Sequence, residues 1–233
     1  MSSNLPSLVM FFGPPTAGKG TQSQIFLNNH PEYSKLDFGY ELRTFVKTYL
    51  NNSEHPQKAE FAEKLNQRLS QRQPVDAEDL MVVLQERIVK ALSHGEKLVL
   101  DGAGRTVREV ELESELFNQF QIQPCIFNLF LPKEYILARA KNRWFVPNNP
   151  NPFKSFEEAK QACAPGEQPY QREDDLDEAK VLAGYDNLYG NFANILLVLQ
   201  LRTKANIFTL DARKSIPEVT ADIEECLRVF YGQ

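Results

Sequence analysis

The chain has 233 residues, enough to bury a full core, and its 42% hydrophobic and 24% charged residues exclude a disordered or low-complexity protein. A net charge of −5 gives no electrostatic ground for a nucleic-acid partner, so any positive charge that binds an anion must be local. Cys125, Cys163 and Cys226 are too few and too scattered for a disulfide framework or a four-cysteine zinc site, and they read as reduced thiols.

The first apolar run, Leu8–Phe12, reads as a buried strand. No basic residue precedes it, and it is too short for a signal segment or a membrane span, so the expectation is a cytoplasmic protein without membrane contact. Gly13-Pro14-Pro15-Thr16-Ala17-Gly18-Lys19-Gly20-Thr21 follows, and a segment of helical spacing comes next. Glycines permit a tight turn with successive N–H groups pointing inward, the helix start adds positive potential, and the lysine supplies a mobile charge. Together these cradle a polyphosphate. The generic P-loop pattern has Ser or Thr directly after the lysine, whereas here Gly20 intervenes before Thr21. A glycine turn without a ligand is the plain alternative, and the order strand, loop, helix speaks against it.

Further strands are expected at Tyr33–Asp37, 97–100, 125–131 and 206–210, and helices at 41–50, 77–92, 107–120, 133–143, 176–201 and 217–230. Strands joined by helix-length connections predict an α/β fold whose parallel sheet is covered on both faces. Two stretches fit that sheet poorly. Residues 51–74 are polar and helix-forming with little apolar surface to bury. Residues 144–170 carry Pro147, Pro150, Pro152, Pro165 and Pro169, which resist a central strand or an unbroken helix. Both read as insertions at the carboxyl edge of the sheet, where ligands bind in such folds, and therefore as lids; ordinary surface loops are the alternative.

The strand at 97–100 ends in Asp101-Gly102, with Arg105 close behind. An acid at a strand's carboxyl end beside a phosphate loop is placed to hold the water shell of Mg²⁺, and Arg105 to face a phosphate. A strand-to-helix turn with an Asp cap is the alternative. Arg139 and Arg143 lie four apart on one face of the expected helix, as nucleotide ligands or as a solvated stripe. In Arg172-Glu173-Asp174-Asp175 the acids either hold the arginine in one rotamer or cap a helix.

Gly18-Lys19-Gly20-Thr21-Gln22 resembles the form of this loop in adenylate kinases and other nucleoside monophosphate kinases, and the similarity runs from Leu8 to about Phe230. The resemblance implies a single kinase domain built on a five-stranded parallel sheet. Its core would be 1–37, 76–143 and 173–233, with an NMP-binding insertion at 38–75 and a zinc-free lid at 144–172. It implies ATP contacts from Gly13, Thr16, Ala17, Gly18, Lys19, Gly20, Thr21, Arg139, Arg143 and Lys214. Residues 36–43 are similar to the family's Ile-Ser-Thr-Gly-Asp-Met-Leu-Arg, and 101–106 to its Asp-Gly-Phe-Pro-Arg-Thr. By that similarity Phe38, Arg43, Val75, Gly102, Arg105, Glu109 and Arg172 would meet the NMP, and Asp101 would hold Mg²⁺ through water. Lys19, Arg105, Arg143 and Arg172 would be the catalytic cations.

The departures are equally specific. Phe38 and Tyr40 replace a threonine and an acid, and Ala103-Gly104 replaces Phe-Pro, so the proline that fixes the backbone before Arg105 is missing. A second lid arginine, expected near 181–183, is absent, and Lys180 is the nearest cation. Glu109 stands where an adenylate kinase has a base-reading glutamine; ionised glutamate only accepts hydrogen bonds, and solvent exposure on its helix is the plain alternative. The resemblance therefore implies a monomeric Mg²⁺-dependent kinase of ATP and an NMP, of the adenylate kinase type. A kinase for GMP or a pyrimidine NMP, and a catalytically weak nucleotide-binding regulator, are the alternatives.

Overall fold

The computed structural model describes residues 5–71, 73, 75–147, 149–153 and 155–232. The elements in chain order are β1 (Leu8–Phe12), α1 (Lys19–Asn29), β2 (Tyr33–Asp37), α2 (Phe38–Tyr49), α3 (Pro56–Ser70), α4 (Ala77–Ser93), β3 (Lys97–Asp101) and α5 (Val107–Gln119). There follow β4 (Cys125–Phe130), α6 (Lys133–Lys141), β5 (Trp144–Val146), β6 (Asn149–Phe153), α7 (Phe156–Ala162), α8 (Glu173–Leu176), α9 (Glu178–Thr203), β7 (Asn206–Asp211) and α10 (Ile216–Tyr231).

Five parallel strands form the main sheet in the order β2-β3-β1-β4-β7. Alternation along each strand divides the core in two. Leu8, Met10, Phe12, Leu98, Leu100 and Ile126 point into one apolar layer with α4, α5 and Ile195 and Leu199 of α9. Val9, Phe11, Val99, Phe127 and Leu129 point into the other, with Phe26 of α1, Ile136 of α6 and Val219, Ile223 and Leu227 of α10. Each fully buried large side chain contributes about 1.5–3 kcal/mol relative to exposure. β1 sits at the centre between β3 and β4, so its carboxyl end opens at the point where chain connections diverge to the two halves of the sheet.

Local chemistry moves several element ends from their expected places. α2 starts at Phe38 rather than 41 because Asp37 caps it, its Oδ1 accepting from the Tyr40 N–H at 2.7 Å. α6 stops at Lys141, with Asn142 as its C-cap, so Arg143 lies beyond the helix and does not continue the face of Arg139. α9 begins at Glu178, where Asp177 accepts from the Lys180 N–H at 3.1 Å.

The insertion at 51–74 buries more than its polarity suggests. α3 places Ala62 and Leu65 at 0% exposure, and Leu65 joins the core layer of α2 and α4. The proline-rich stretch forms a separate two-stranded antiparallel sheet of β5 and β6, away from the main sheet, where Pro150 and Pro152 need not donate to a central ladder. Phe145 also exchanges backbone hydrogen bonds with Tyr170, closing the stretch on itself. Pro74 lies outside the described residues.

Candidate active site

The cradle leaves the carboxyl end of β1 and enters α1. Gly13 has φ +136°, and a Cβ there would stand 2.5 Å from the Leu129 carbonyl oxygen, so only glycine lets the loop pass β4 this closely. Thr16 is a non-glycine residue at φ 66°, and its buried hydroxyl has no hydrogen-bond partner. A left-handed non-glycine residue and an unbonded buried hydroxyl in one loop are features that fit an anion-binding turn. Gly18 is the left-handed N-cap of α1, and neither a side-chain cap nor a first-turn acid neutralises the helix's positive end. Ala17 is buried at the base of the loop, while Gly20 and Thr21 are in the first turn of α1, Gly20 exposed.

Lys19 folds back over the cradle. Its ammonium donates to the carbonyls of Gly13 at 2.8 Å and Pro14 at 2.9 Å. Burial pushes its pKa down to about 8, with Asp101 holding it up and Arg143 pressing it further down. Those two electrostatic partners come from the end of β3 and the end of α6, so three separate segments converge on one ammonium.

Asp101 lies half-exposed at the carboxyl end of β3 and carries the Lys35 ammonium at 2.7 Å. Sequence reading did not single out Lys35, although its position two residues before Asp37 puts it on the same face of β2. Arg43 is exposed on α2, its guanidinium lying beside Gly39, where a Cβ would come within 3.1 Å of it. Phe38 is fully buried in the core, where a Cβ on Gly102 would come within 3.7 Å of it, and Val75 packs at the edge of the same layer.

The turn after β3 is held from beneath by α5. Thr106 caps the helix, accepting from the Glu109 N–H at 3.1 Å. Glu109 and Glu113, one turn apart, accept from the Arg105 N–H at 3.2 Å and the Gly104 N–H at 3.1 Å. The Arg105 side chain remains largely exposed, with Nε 3.6 Å from Glu109. Glu109 therefore does not point to solvent: it is 4% exposed and turned toward the backbone at Arg105. Burial raises its pKa, against the opposing effect of Arg105.

At the lid base, Arg139 donates to the carbonyls of Ala212 at 2.6 Å and Thr16 at 3.4 Å, which ties α6 to the cradle. Lys214 pairs with Asp222 at 2.6 Å on the exposed start of α10. Arg143 and Arg172 share one aromatic support: their guanidinium carbons lie 5.2 Å and 4.0 Å from the ring centre of the fully buried Phe145. Tyr170 stacks on that ring at 5.8 Å. Asp175, expected to fix Arg172, instead pairs with Arg143 at 2.9 Å. Burial lowers the Arg143 pKa, and the neighbouring Asp175 opposes that shift. An aromatic directly after Arg143-Trp144 was the available signal for this platform.

α9 passes the cradle at Gly184, where a Cβ would be 3.5 Å from the Pro15 ring. Of the two registers for the absent arginine, Val181 is buried in the core and Ala183 is exposed, so Ala183 is the position from which a longer cation would reach outward.

No protein-family model matches the chain. Curated proteins do. An adenylate kinase of Chloroherpeton thalassium is 26% identical over 229 residues, covering 94% of this chain and 97% of its own. An adenylate kinase of Methanosarcina barkeri is 26% identical over 239 residues, with 95% and 99% covered. One of Pelagibacter ubique is 27% identical over 227 residues, again with 95% and 99% covered. The chain is thus similar to adenylate kinases over nearly its whole length, at about 26% identity. Among the described residues no group of three or more His, Cys, Asp or Glu is clustered to hold a metal ion. No described helix is long and apolar enough to cross a membrane.

Proposed function

We propose that the protein is a nucleoside monophosphate kinase of the adenylate kinase type, a cytoplasmic monomer that moves the γ-phosphoryl group of Mg·ATP onto AMP. Its relatives carry the name adenylate kinase, a phosphotransferase activity. The observation that carries the reading is the convergence of Asp101 and Arg143 on Lys19 above a strained, uncapped phosphate cradle.

In this reading the cradle amides and Lys19 bind the β and γ phosphates of ATP, and Arg139, already bonded to the Thr16 carbonyl, keeps loop and lid base in register. Arg43 and Arg105 hold the acceptor phosphate. Arg143 and Arg172, presented on Phe145, neutralise charge spreading over the equatorial oxygens as the group moves in line, with no covalent intermediate. The stretch 144–172 and the insertion 38–75 close over the phosphates and exclude water, which prevents wasteful hydrolysis. Asp101 suits water-mediated contact with Mg²⁺: it is half-exposed, faces the cradle and already attracts the Lys35 cation. Mg²⁺ bound with ATP would supply positive charge between the β and γ oxygens.

The identity of Glu109 offers a second reading of the base, against which stands its buried bond to the Arg105 N–H. As an acceptor it favours guanine N1–H or an exocyclic amino group over the adenine edge. The exposed alanine at 183 supports the weaker alternative, a nucleotide-binding regulator, since losing one transition-state donor costs about 10²–10³ in rate. A coupled assay of ATP with AMP, GMP, CMP and UMP decides among them: the expected result is AMP turnover above the rest. ATP binding without transfer to any NMP would leave the regulator. Glu109→Gln should shift the AMP to GMP ratio of kcat/KM by about tenfold if the carboxylate reads the base.

A further inference from the structure

The turn Gly102–Arg105 lacks the proline of the family pattern, and its conformation excludes one. Gly104 has φ +66°, whereas proline requires about −65°. Any side chain is excluded as well, because a Cβ on Gly104 would lie 2.2 Å from the Phe12 ring. The most permissive residue thus stands directly before Arg105, in a conformation that costs more order to hold than any other choice. Something outside the turn must hold it.

Two acids on the inward face of α5 do so. Glu113 is 0% exposed and Glu109 4% exposed, four residues apart and so on one face of the helix. They accept from two consecutive amides, Gly104 and Arg105, at 3.1 and 3.2 Å. A buried carboxylate beside an apolar layer is costly unless bonded, and placing a second within one turn raises that cost. Neither acid belongs to the apolar pattern that makes α5 a core helix, so packing does not account for them.

We propose that Glu113, acting with Glu109, is a positioning residue that fixes the Gly104–Arg105 backbone and thereby aims the exposed Arg105 guanidinium at the acceptor phosphate. The pair replaces a covalent restraint with two hydrogen bonds from one helical turn. Burial, and next the charge of Glu109, push the Glu113 pKa well up, while Glu109 lies 3.6 Å from the Arg105 Nε. This assignment rests on Arg105 being the NMP clamp of the proposed function.

The test compares Glu113→Met with Glu113→Gln in the full chain. Met fills the same space but accepts nothing, leaving the Gly104 N–H buried and unpaired; Gln keeps an acceptor at the same reach. The Met variant should raise the KM and the calorimetric Kd for the NMP by about tenfold, leave the KM for ATP within about twofold, and speed amide exchange at 102–106. The Gln variant should stay within about twofold of wild type throughout. If the Met variant does not fold, Glu113→Asp, which withdraws the same acid by one methylene, should give the Met pattern. A Met or Asp variant with a lower melting temperature but unchanged NMP Kd would overturn the proposal. So would a Gln variant as impaired as the Met variant. Wild-type protein that transfers phosphate to no NMP would defeat the functional reading alone, since the Kd and exchange comparisons are made without turnover.

Discussion

The cradle and the ring of arginines around it are built on opposite principles. The cradle is made of backbone. Its shape comes from consecutive residues, Gly13 to Thr21, whose φ values and missing Cβ atoms follow from their identities. The arginines are held by side chains and carbonyls of other elements, some a few residues away and some far along the chain. Arg143 and Arg172 rest on Phe145, Arg105 on α5, and Arg139 on the carbonyls of Thr16 and Ala212. A backbone site tolerates change around it and fails when its own residues change; a side-chain site can be disarmed by altering a residue that never touches the ligand.

The sharpest break is Lys19→Met. It removes the charge and keeps the stem, so phosphoryl transfer should fall by about 10²–10³ or more while the melting temperature moves by only a few degrees, since Lys19 bonds only to the loop. Steady-state turnover and thermal melting check both halves. Unchanged turnover would remove the cradle assignment.

Phe145→Leu tests the other side of the comparison. Each cation–aromatic contact contributes about 0.5–2 kcal/mol, so loss of a ring serving two arginines should lower kcat about tenfold with smaller changes in either KM. A variant with normal kcat and a lower melting temperature would reduce Phe145 to core packing.

The third expected effect is a pH dependence of ATP affinity, which near pH 8 begins small. Lys19 has its pKa pushed down to about 8 in the ligand-free protein, and a bound polyphosphate favours the charged form and raises it. Below that pH the ammonium is charged with or without ATP, so affinity is flat. Above it, binding must take up a proton, and Kd should weaken by roughly tenfold per pH unit until the bound-state pKa is reached. Calorimetry at pH 9 in two buffers of different ionisation enthalpy should report uptake near one proton per ATP, and Lys19→Met should abolish it. A Kd that is flat from pH 7 to 10 would mean that burial does not depress Lys19.

Much of this was readable before any coordinates. Each of the five core strands was expected within a residue of where it lies, because short apolar runs bounded by Gly, Asp and Pro carry their own signal. The cradle was readable for the same local reason. The ends of α2, α6 and α9 were misplaced by up to three residues, since caps such as Asp37 and Asp177 depend on one side chain's rotamer. Arg143 was read as sharing a helix face with Arg139, but the helix ends at Lys141 and Phe145 and Asp175 position it instead.

The sequence alone determined the alternation of strand and helix, the phosphate loop and the set of cations near it, because these depend on residue identity and spacing within a few residues. Only the tertiary structure decided what holds each cation. Lys35 reaches Asp101 across two adjacent strands, Glu113 reaches Gly104 from about two helical turns beyond the cap, and Phe145 gathers Arg143 and Arg172 from either end of the proline-rich stretch. Those contacts join segments that are apart in the chain or brought together by folding, and the direction of a side chain is settled only when both partners are in place.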